Sequence, residues 1–479
     1  MKKLLIGAAC ALTAFTLGFC GCFLMGGTDG LNGANGADGK NGKDGQNATA
    51  YDYYELAKMV EGQEDMTIDE FLKKYLSYTQ AELEEEFAPQ RNANRSLLSA
   101  VSILTGFTCS TTVSSKKVSY NAVYSGAGVI VDIDKDNGDA YVVTNCHVVY
   151  NDAATNVIST DIRLYLYGQD AQGVNYNVTS KLVKQSAFDG AIYDTTVYGD
   201  EDYRINARVV AASIANDIAL LKVTGSEVLK NSSAIAAEFE DSDDVYVKED
   251  VYAIGNPEGD GMNVTSGTIT KESQIIQLNL SDKYPNSDDY FLNYRVIGTD
   301  AAINGGNSGG GLFSSKTGKL IGIVNSKNAA SDVDNMGFVL PGNIVKRLWK
   351  CMRDNYGGGG NYATSTGTNC VVFPATCAAK STGAYWDNEK NVAVIEEKVV
   401  LTSNKTLSVG NEFKVNDVVT HIKISSSTGT VKEDREVTRV YHLEDTLISA
   451  RAGDKIEITI LRGGQEVVVT YTATTSKIK

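Results

Sequence analysis

The chain has 479 residues, more than one ordinary hydrophobic core supports, so two or three domains with linkers are expected. Its composition, 42% hydrophobic and 22% charged, is that of a globular protein, and no stretch after residue 25 stays apolar long enough to span a bilayer. Acidic residues outnumber basic ones, 59 to 44, and the formal charge of -15 excludes nucleic acid as the expected partner, because its phosphates would be repelled.

Lys2 and Lys3 precede an apolar run over 4–25, the layout of an export signal, which puts the body of the protein outside the cytoplasm. Phe19-Cys20-Gly21-Cys22 resembles a bacterial lipoprotein cleavage box. Cys22 is thereby the candidate for lipidation, and the chain would be anchored to the membrane at the bacterial cell surface. Plain cleavage with secretion, or an uncleaved anchor helix, are the alternatives. From Gly27 to Gly45 glycine falls at every third position with no proline between, a collagen-like period too short to trimerise strongly, so 26–50 reads as a hydrophilic spacer.

Residues 51–95 follow as a small helical stalk or cap. Ile68, Phe71, Leu72, Tyr75 and Leu76 recur at helical spacing, and Thr67 with Glu70 forms a capping-box pattern. Between 96 and 353 the pattern changes to short β-type runs broken by Gly, Asn and Asp, which suggests a barrel or sandwich closed by a helix at Ile344–Met352. A Gly-rich linker at 354–366 leads to a second β-rich domain over 367–479. Outside the leader, Cys351 has Cys370 or Cys377 within reach of a disulfide. The chain holds no CxxC pair or His/Cys cluster, so neither a metal nor a cofactor is expected.

Peptide cleavage needs a nucleophile, a base, a group that orients the base, and donors for the oxyanion. Tyr141-Val142-Val143-Thr144-Asn145-Cys146-His147 is an apolar strand that delivers a histidine at its end. Asn216-Asp217-Ile218-Ala219-Leu220-Leu221 places a carboxylate at the start of a buried strand, and Asn304-Gly305-Gly306-Asn307-Ser308-Gly309-Gly310-Gly311 sets a serine in a glycine-rich turn. Taken singly, a strand-end histidine is more often structural, a turn aspartate is common, and a glycine-rich turn is often only a turn. Their joint occurrence in this order is what points to His147, Asp217 and Ser308 as a catalytic triad.

These segments closely resemble those of HtrA proteases, as do Ala253-Ile254-Gly255-Asn256-Pro257, Val264 to Ile269, Gly318 to Asn325 and Gly337 to Pro341. The resemblance covers about 126–349. It implies a mostly β fold: a trypsin-like double β-barrel protease with a C-terminal PDZ-like domain, behind the N-terminal helical stalk. It implies an oxyanion hole at Gly306, Asn307 and Ser308. The primary pocket would be formed by Ala302, six residues before the nucleophile, with Ile303 and a wall of Ile323, Val324 and Asn325; having no carboxylate, it suits small or aliphatic side chains.

The implied function is extracytoplasmic serine endopeptidase action on unfolded or exported proteins, in a homotrimer. The alternative is a surface-anchored binding or chaperone protein with a conditional or vestigial protease site. Gly305 and Gly311 stand where the family commonly has proline, which would leave the loop freer, and the stretch 168–204 is longer than the family's usual connection. Cys146 either pairs with Cys109, the favoured reading, or serves as a small buried side chain beside the histidine. In the last domain, Val415 to Val419 and the run from His442 to Gly464 resemble parts of a PDZ module. Its carboxylate loop is placed near Val371-Val372-Phe373, and a β-rich domain without a peptide groove is the other reading.

Overall fold

The computed structural model describes residues 50–59, 65–75, 80–171, 173–186, 190–279, 291–327, 336–356, 369–371, 373–389, 391–474 and 476–477. The export signal, Cys22, the collagen-like spacer up to residue 49, Val372 and the glycines of the linker lie outside them.

Helices α1 (Ala50–Lys58), α2 (Ile68–Tyr75) and α3 (Gln80–Leu97) open the described chain. Glu70 accepts from the Thr67 N–H at 2.8 Å while its own N–H donates to Thr67 Oγ1 at 3.3 Å, the reciprocal capping box that starts α2. Tyr53, Ala57, Phe71, Tyr75 and Phe87 form the helices' own small core. Helix α3 runs through Pro89 and past the expected end of the helical region, and its last turns are tied down. Asn92 donates to Ser315 O and Lys316 O at 3.1 and 2.9 Å, and the Ser96 hydroxyl lies 2.9 Å from that of Tyr252.

The first barrel contains β1 (Ala100–Val113), β2 (Lys116–Asp134), β3 (Asp139–Thr144), β4 (Asp161–Leu166), β7 (Ile205–Ser213) and β8 (Ile218–Val223), closed in the order β1-β2-β3-β8-β7-β4. β5 (Tyr176–Ser186) and β6 (Gly190–Gly199) form a separate hairpin, which accounts for the long stretch at 168–204. The second barrel contains β9 (Asp250–Gly255), β10 (Asn263–Asn279), β11 (Phe291–Thr299), β12 (Gly311–Ser314), β13 (Leu320–Lys327) and β14 (Gly337–Pro341). Its interior holds Val251, Ala253, Ile269, Ile297, Leu312, Ile321 and Val339, the alternate inward positions of each strand. This is the double barrel of a trypsin-like fold.

Helix α6 (Gly342–Tyr356) follows, after the single-turn helices α4 (Cys146–Val149) and α5 (Glu227–Lys230) of the barrel region. The C-terminal domain comprises β15 (Asn369–Cys370), β16 (Cys377–Asp387), β17 (Val392–Leu401), β18 (Lys405–Ser408), β19 (Asn411–Phe413), β20 (Val418–Ser425), β21 (Val431–Glu436), α7 (Val440–Leu447), β22 (Lys455–Arg462), β23 (Gln465–Thr472) and β24 (Ser476–Lys477). Its main sheet has the order β16-β17-β20-β22-β23, with β21 beside β20. Val371 and Phe373 are built into this domain's core with Ile422, Leu443 and Ile458, as packing residues. Asp417 receives both Arg462 nitrogens, at 2.8 and 2.7 Å, and locks the start of β20 to the end of β22.

Cys109, Cys146, Cys351 and Cys377 form no disulfides with one another, which corrects the favoured Cys109–Cys146 pairing and removes Cys351–Cys377. Cys109 packs with Phe107 and Ala154 on β1, where Asn151 Nδ2 approaches its sulfur at 3.8 Å. Cys146 is the small, fully buried residue beside His147.

Candidate active site

β3 pairs with β2 and ends at Thr144, and the chain turns at once into α4, which carries His147 in its single turn. Two bonds fix this turn: Val148 N donates to Asn145 O at 3.3 Å, and Thr105 Oγ1 donates to Val148 O at 2.8 Å. His147 is half-buried between the enclosed Cys146 and Val148.

Ser308 is brought to the same place by β2. Ala127 N donates to Ser308 O at 2.9 Å, and Thr144 Oγ1 donates to Ala127 O at 2.7 Å, so one β2 residue joins the serine loop to the strand that delivers His147. Gly126 makes the approach feasible: a Cβ there would lie 2.7 Å from Val148 Cγ1 and 3.3 Å from Ser308 O. The Ser308 hydroxyl donates to Asn325 O at 3.3 Å, the long and weak end of such a bond.

Asp217 ends the tight turn between β7 and β8. Its N–H donates to Ile214 O at 3.2 Å, Asn216 Nδ2 donates to Ser213 Oγ at 2.9 Å, and φ is 49°. Aspartate tolerates that left-handed conformation better than most residues. Its side chain is fully buried at the head of the buried strand Ile218–Leu221.

The serine loop is held from both sides. Gly309 N donates to Val324 O at 2.9 Å and Val324 N donates to Gly310 O at 2.8 Å, which fasten the loop to β13. On the other side Glu258 N donates to Gly305 O at 2.8 Å, and Asn256 N donates to Gly306 O at 3.4 Å. Gly306 has φ 93°, and a Cβ there would fall 2.1 Å from Asn256 O, so only glycine fits. Among the described residues, neither the Gly306 N–H nor the Ser308 N–H is spent on a backbone carbonyl. Asn307 is buried between them, against Gly255.

The loop is therefore less free than its glycines suggest. Gly305 does have open space, yet its carbonyl is bonded; Gly311 is paired to Ile254 on one side and Ile323 on the other, and a Cβ there would strike the Phe313 ring at 2.4 Å. Of the five pocket candidates, Ala302 is exposed, with its carbonyl accepting from Thr265 Oγ1 at 2.9 Å. Ile303 and Val324 belong to the second barrel's core, and Ile323 and Asn325 are buried.

Sequence reasoning assigned no role to three residues that support this loop. Asn256 accepts from Gly261 N at 2.9 Å through Oδ1, and its Nδ2 donates to Gly126 O at 3.3 Å. The Tyr176 hydroxyl lies 2.9 Å from Gly259 O and 3.0 Å from Asp170 O; burial pushes it up to about 12, so it remains a donor. The Asp170 carboxylate accepts from Gly168 N at 3.0 Å and from Met262 N; burial raises its pKa, against the pull of these N–H groups. The Asn-Pro turn was a usable signal for the first; nothing local signals the other two.

Comparison with known proteins gives a match to the family described as "Trypsin-like peptidase domain" over residues 126–323. The chain is 27% identical over 346 residues to Serine protease Do-like HtrA of Bacillus subtilis (strain 168), covering 72% of this chain and 62% of that protein. It is 34% identical over 225 residues to Periplasmic serine endoprotease DegP of Escherichia coli (strain K12), covering 47% of this chain and 34% of that one. A solved structure, "HtrA-type protease AlgW with decapeptide", aligns at a TM-score of 0.45 and 19% identity, over 81% of this chain and 98% of that one. The chain thus spans 62% of the length of the first relative and 34% of the second.

Proposed function

We propose that the protein is a serine endopeptidase of the HtrA/DegP type, acting on unfolded or exported proteins outside the cytoplasm; the match of residues 126–323 to the trypsin-like peptidase family and the similarity to HtrA and DegP proteases support this reading. Ser308 Oγ attacks the scissile carbonyl as His147 takes its proton. Asp217 holds the imidazole in the required tautomer and stabilises the imidazolium. The N–H groups of Gly306 and Ser308, flanking Asn307, receive the oxyanion. His147 then protonates the leaving amine, and water releases the acyl group by the reverse sequence. The observation that carries the reading is the convergence of the His147 turn and the Ser308 loop on Gly126 and Ala127, with the Gly306 and Ser308 N–H groups bonded to no backbone carbonyl among the described residues.

Ala302, the one exposed residue among the pocket candidates, carries no charge and suits cleavage after small or aliphatic residues. The remaining parts of the proposal are an export signal with lipidation at Cys22, a spacer over 26–50, and a PDZ-like domain over 367–479 that engages peptide. We place the protein at the bacterial cell surface, as a homotrimer. The helix, turn and hairpin formed by α7, β22 and β23 support the PDZ-like reading.

Incubation of the protein and its Ser308→Ala variant with unfolded casein tests the function. Cleavage by the unsubstituted protein alone, with product ends after Ala, Val or similar residues, is the expected result. Equal cleavage by both, or by neither, removes the endopeptidase reading.

A further inference from the structure

The β5–β6 hairpin grips the loop that cradles the serine. At its base, Asp170 accepts from Met262 N, and the Tyr176 hydroxyl shares its proton between Asp170 O and Gly259 O. These bonds reach across 92 and 83 residues of sequence, and they take hold of both ends of the segment 259–262. Tyr176 is itself fixed: its ring lies 4.8 Å from that of Tyr165, centroid to centroid, and it is packed with Leu104 against Val123, Val178 and Val197. The hairpin is anchored on β2 through Asn121 N, which donates to Asp194 Oδ1 at 2.8 Å, and Arg163 Nη1 donates to Val197 O at 3.1 Å.

The gripped segment controls one peptide plane. Glu258, at φ 59°, sits in a conformation that a non-glycine residue rarely adopts without outside support. In that conformation its N–H meets Gly305 O. A trans peptide is planar, with C=O and N–H directed to opposite sides, so a bond that fixes Gly305 O also fixes the direction of the Gly306 N–H. Among the described residues that N–H makes no bond to a backbone carbonyl.

Resting on the endopeptidase reading, we infer that Asp170 and Tyr176 are positioning residues for the oxyanion hole: by clamping 259–262 they keep the Gly305–Gly306 peptide turned with its N–H toward the reacting carbonyl. Both act through the loop, by the bonds to Met262 N and Gly259 O. The hairpin is thus a handle on the activity of the serine loop, and a ligand or partner that shifts it would change kcat.

The test uses the full chain with Tyr176→Phe, which deletes only the hydroxyl, Asp170→Asn, which preserves shape, and Tyr198→Phe on the exposed part of the hairpin as a control. Peptide hydrolysis and amide hydrogen exchange across 256–262 are measured for each. The expected result is a fall in kcat of roughly 10- to 100-fold for the first two, short of or equal to the loss of a whole oxyanion donor, with KM within about twofold. Exchange at 256–262 should rise in the same two variants and stay unchanged in the control. Unaltered kcat and unaltered exchange overturn the inference, as does a lowered melting temperature with kcat and loop exchange intact. If the unsubstituted protein shows no Ser308-dependent hydrolysis, the endopeptidase reading falls, and the exchange data alone decide whether Asp170 and Tyr176 order the loop.

Discussion

Gly306 and Gly305 are neighbours with opposite demands. A methyl group on Gly306 would collide with Asn256 O and oppose a φ of 93°, so Gly306→Ala must displace the peptide or turn it over. Its kcat should fall on the order of 100- to 1000-fold, the cost of one oxyanion donor, with KM little changed. Gly305→Ala meets nothing within 4 Å and should stay within about twofold of the parent; steady-state kinetics on one peptide substrate reads both. The three residues proposed to carry the chemistry, His147, Asp217 and Ser308, could be singled out in sequence because each sits in a short contiguous motif. The unpaired state of Cys109 and Cys146 was not legible there, since whether two thiols pair depends on the directions in which a strand and a separate helical turn present them.

At the scale of elements, short β-type runs pointed to a barrel, although β1 and β2 extend far beyond their buried halves. Those extensions are rich in Ser, Thr and Lys and pair through backbone bonds from Thr108–Asn121 to Val113–Lys116, which side-chain hydropathy does not report. The β5–β6 hairpin escaped for the same reason: its anchors, Asp170 and Tyr176, find their partners across the fold. A buried pair in the second barrel offers a stability test. Arg295 and Asp243 lie 3.0 Å apart with side chains only 4% and 5% exposed, so Asp243→Ala removes a buried carboxylate that faces the guanidinium in a water-poor site. Chemical denaturation should show a loss of about 3 to 5 kcal/mol, and the double variant Asp243→Leu/Arg295→Met should recover most of it.

Across the whole molecule, acid should act on the C-terminal domain through two held carboxylates. Burial raises the Asp417 pKa, but the hydrogen bonds of Arg462 and Lys414 N outweigh it and leave it lowered; burial likewise raises Glu433, and Arg347, at 3.1 Å, leaves it lowered. A lowered folded-state pKa contributes stability that is complete above the ordinary carboxylate value and is lost as pH falls through the folded value. Exchange protection of β20 and β22 should therefore drop on acidification below about pH 4, where free carboxylates protonate. Arg462→Met should flatten that dependence by removing the partner that lowers Asp417.

The double barrel and the order of its catalytic motifs frame the central claim that Ser308 is an activated nucleophile. A fluorophosphonate probe, which reacts with a serine only where a base and an oxyanion site activate it, tests this most directly, with the modified residue located by mass spectrometry. The account predicts labelling at Ser308 that disappears in His147→Ala and falls sharply in Gly306→Ala; absence of labelling, or labelling indifferent to His147, would contradict it.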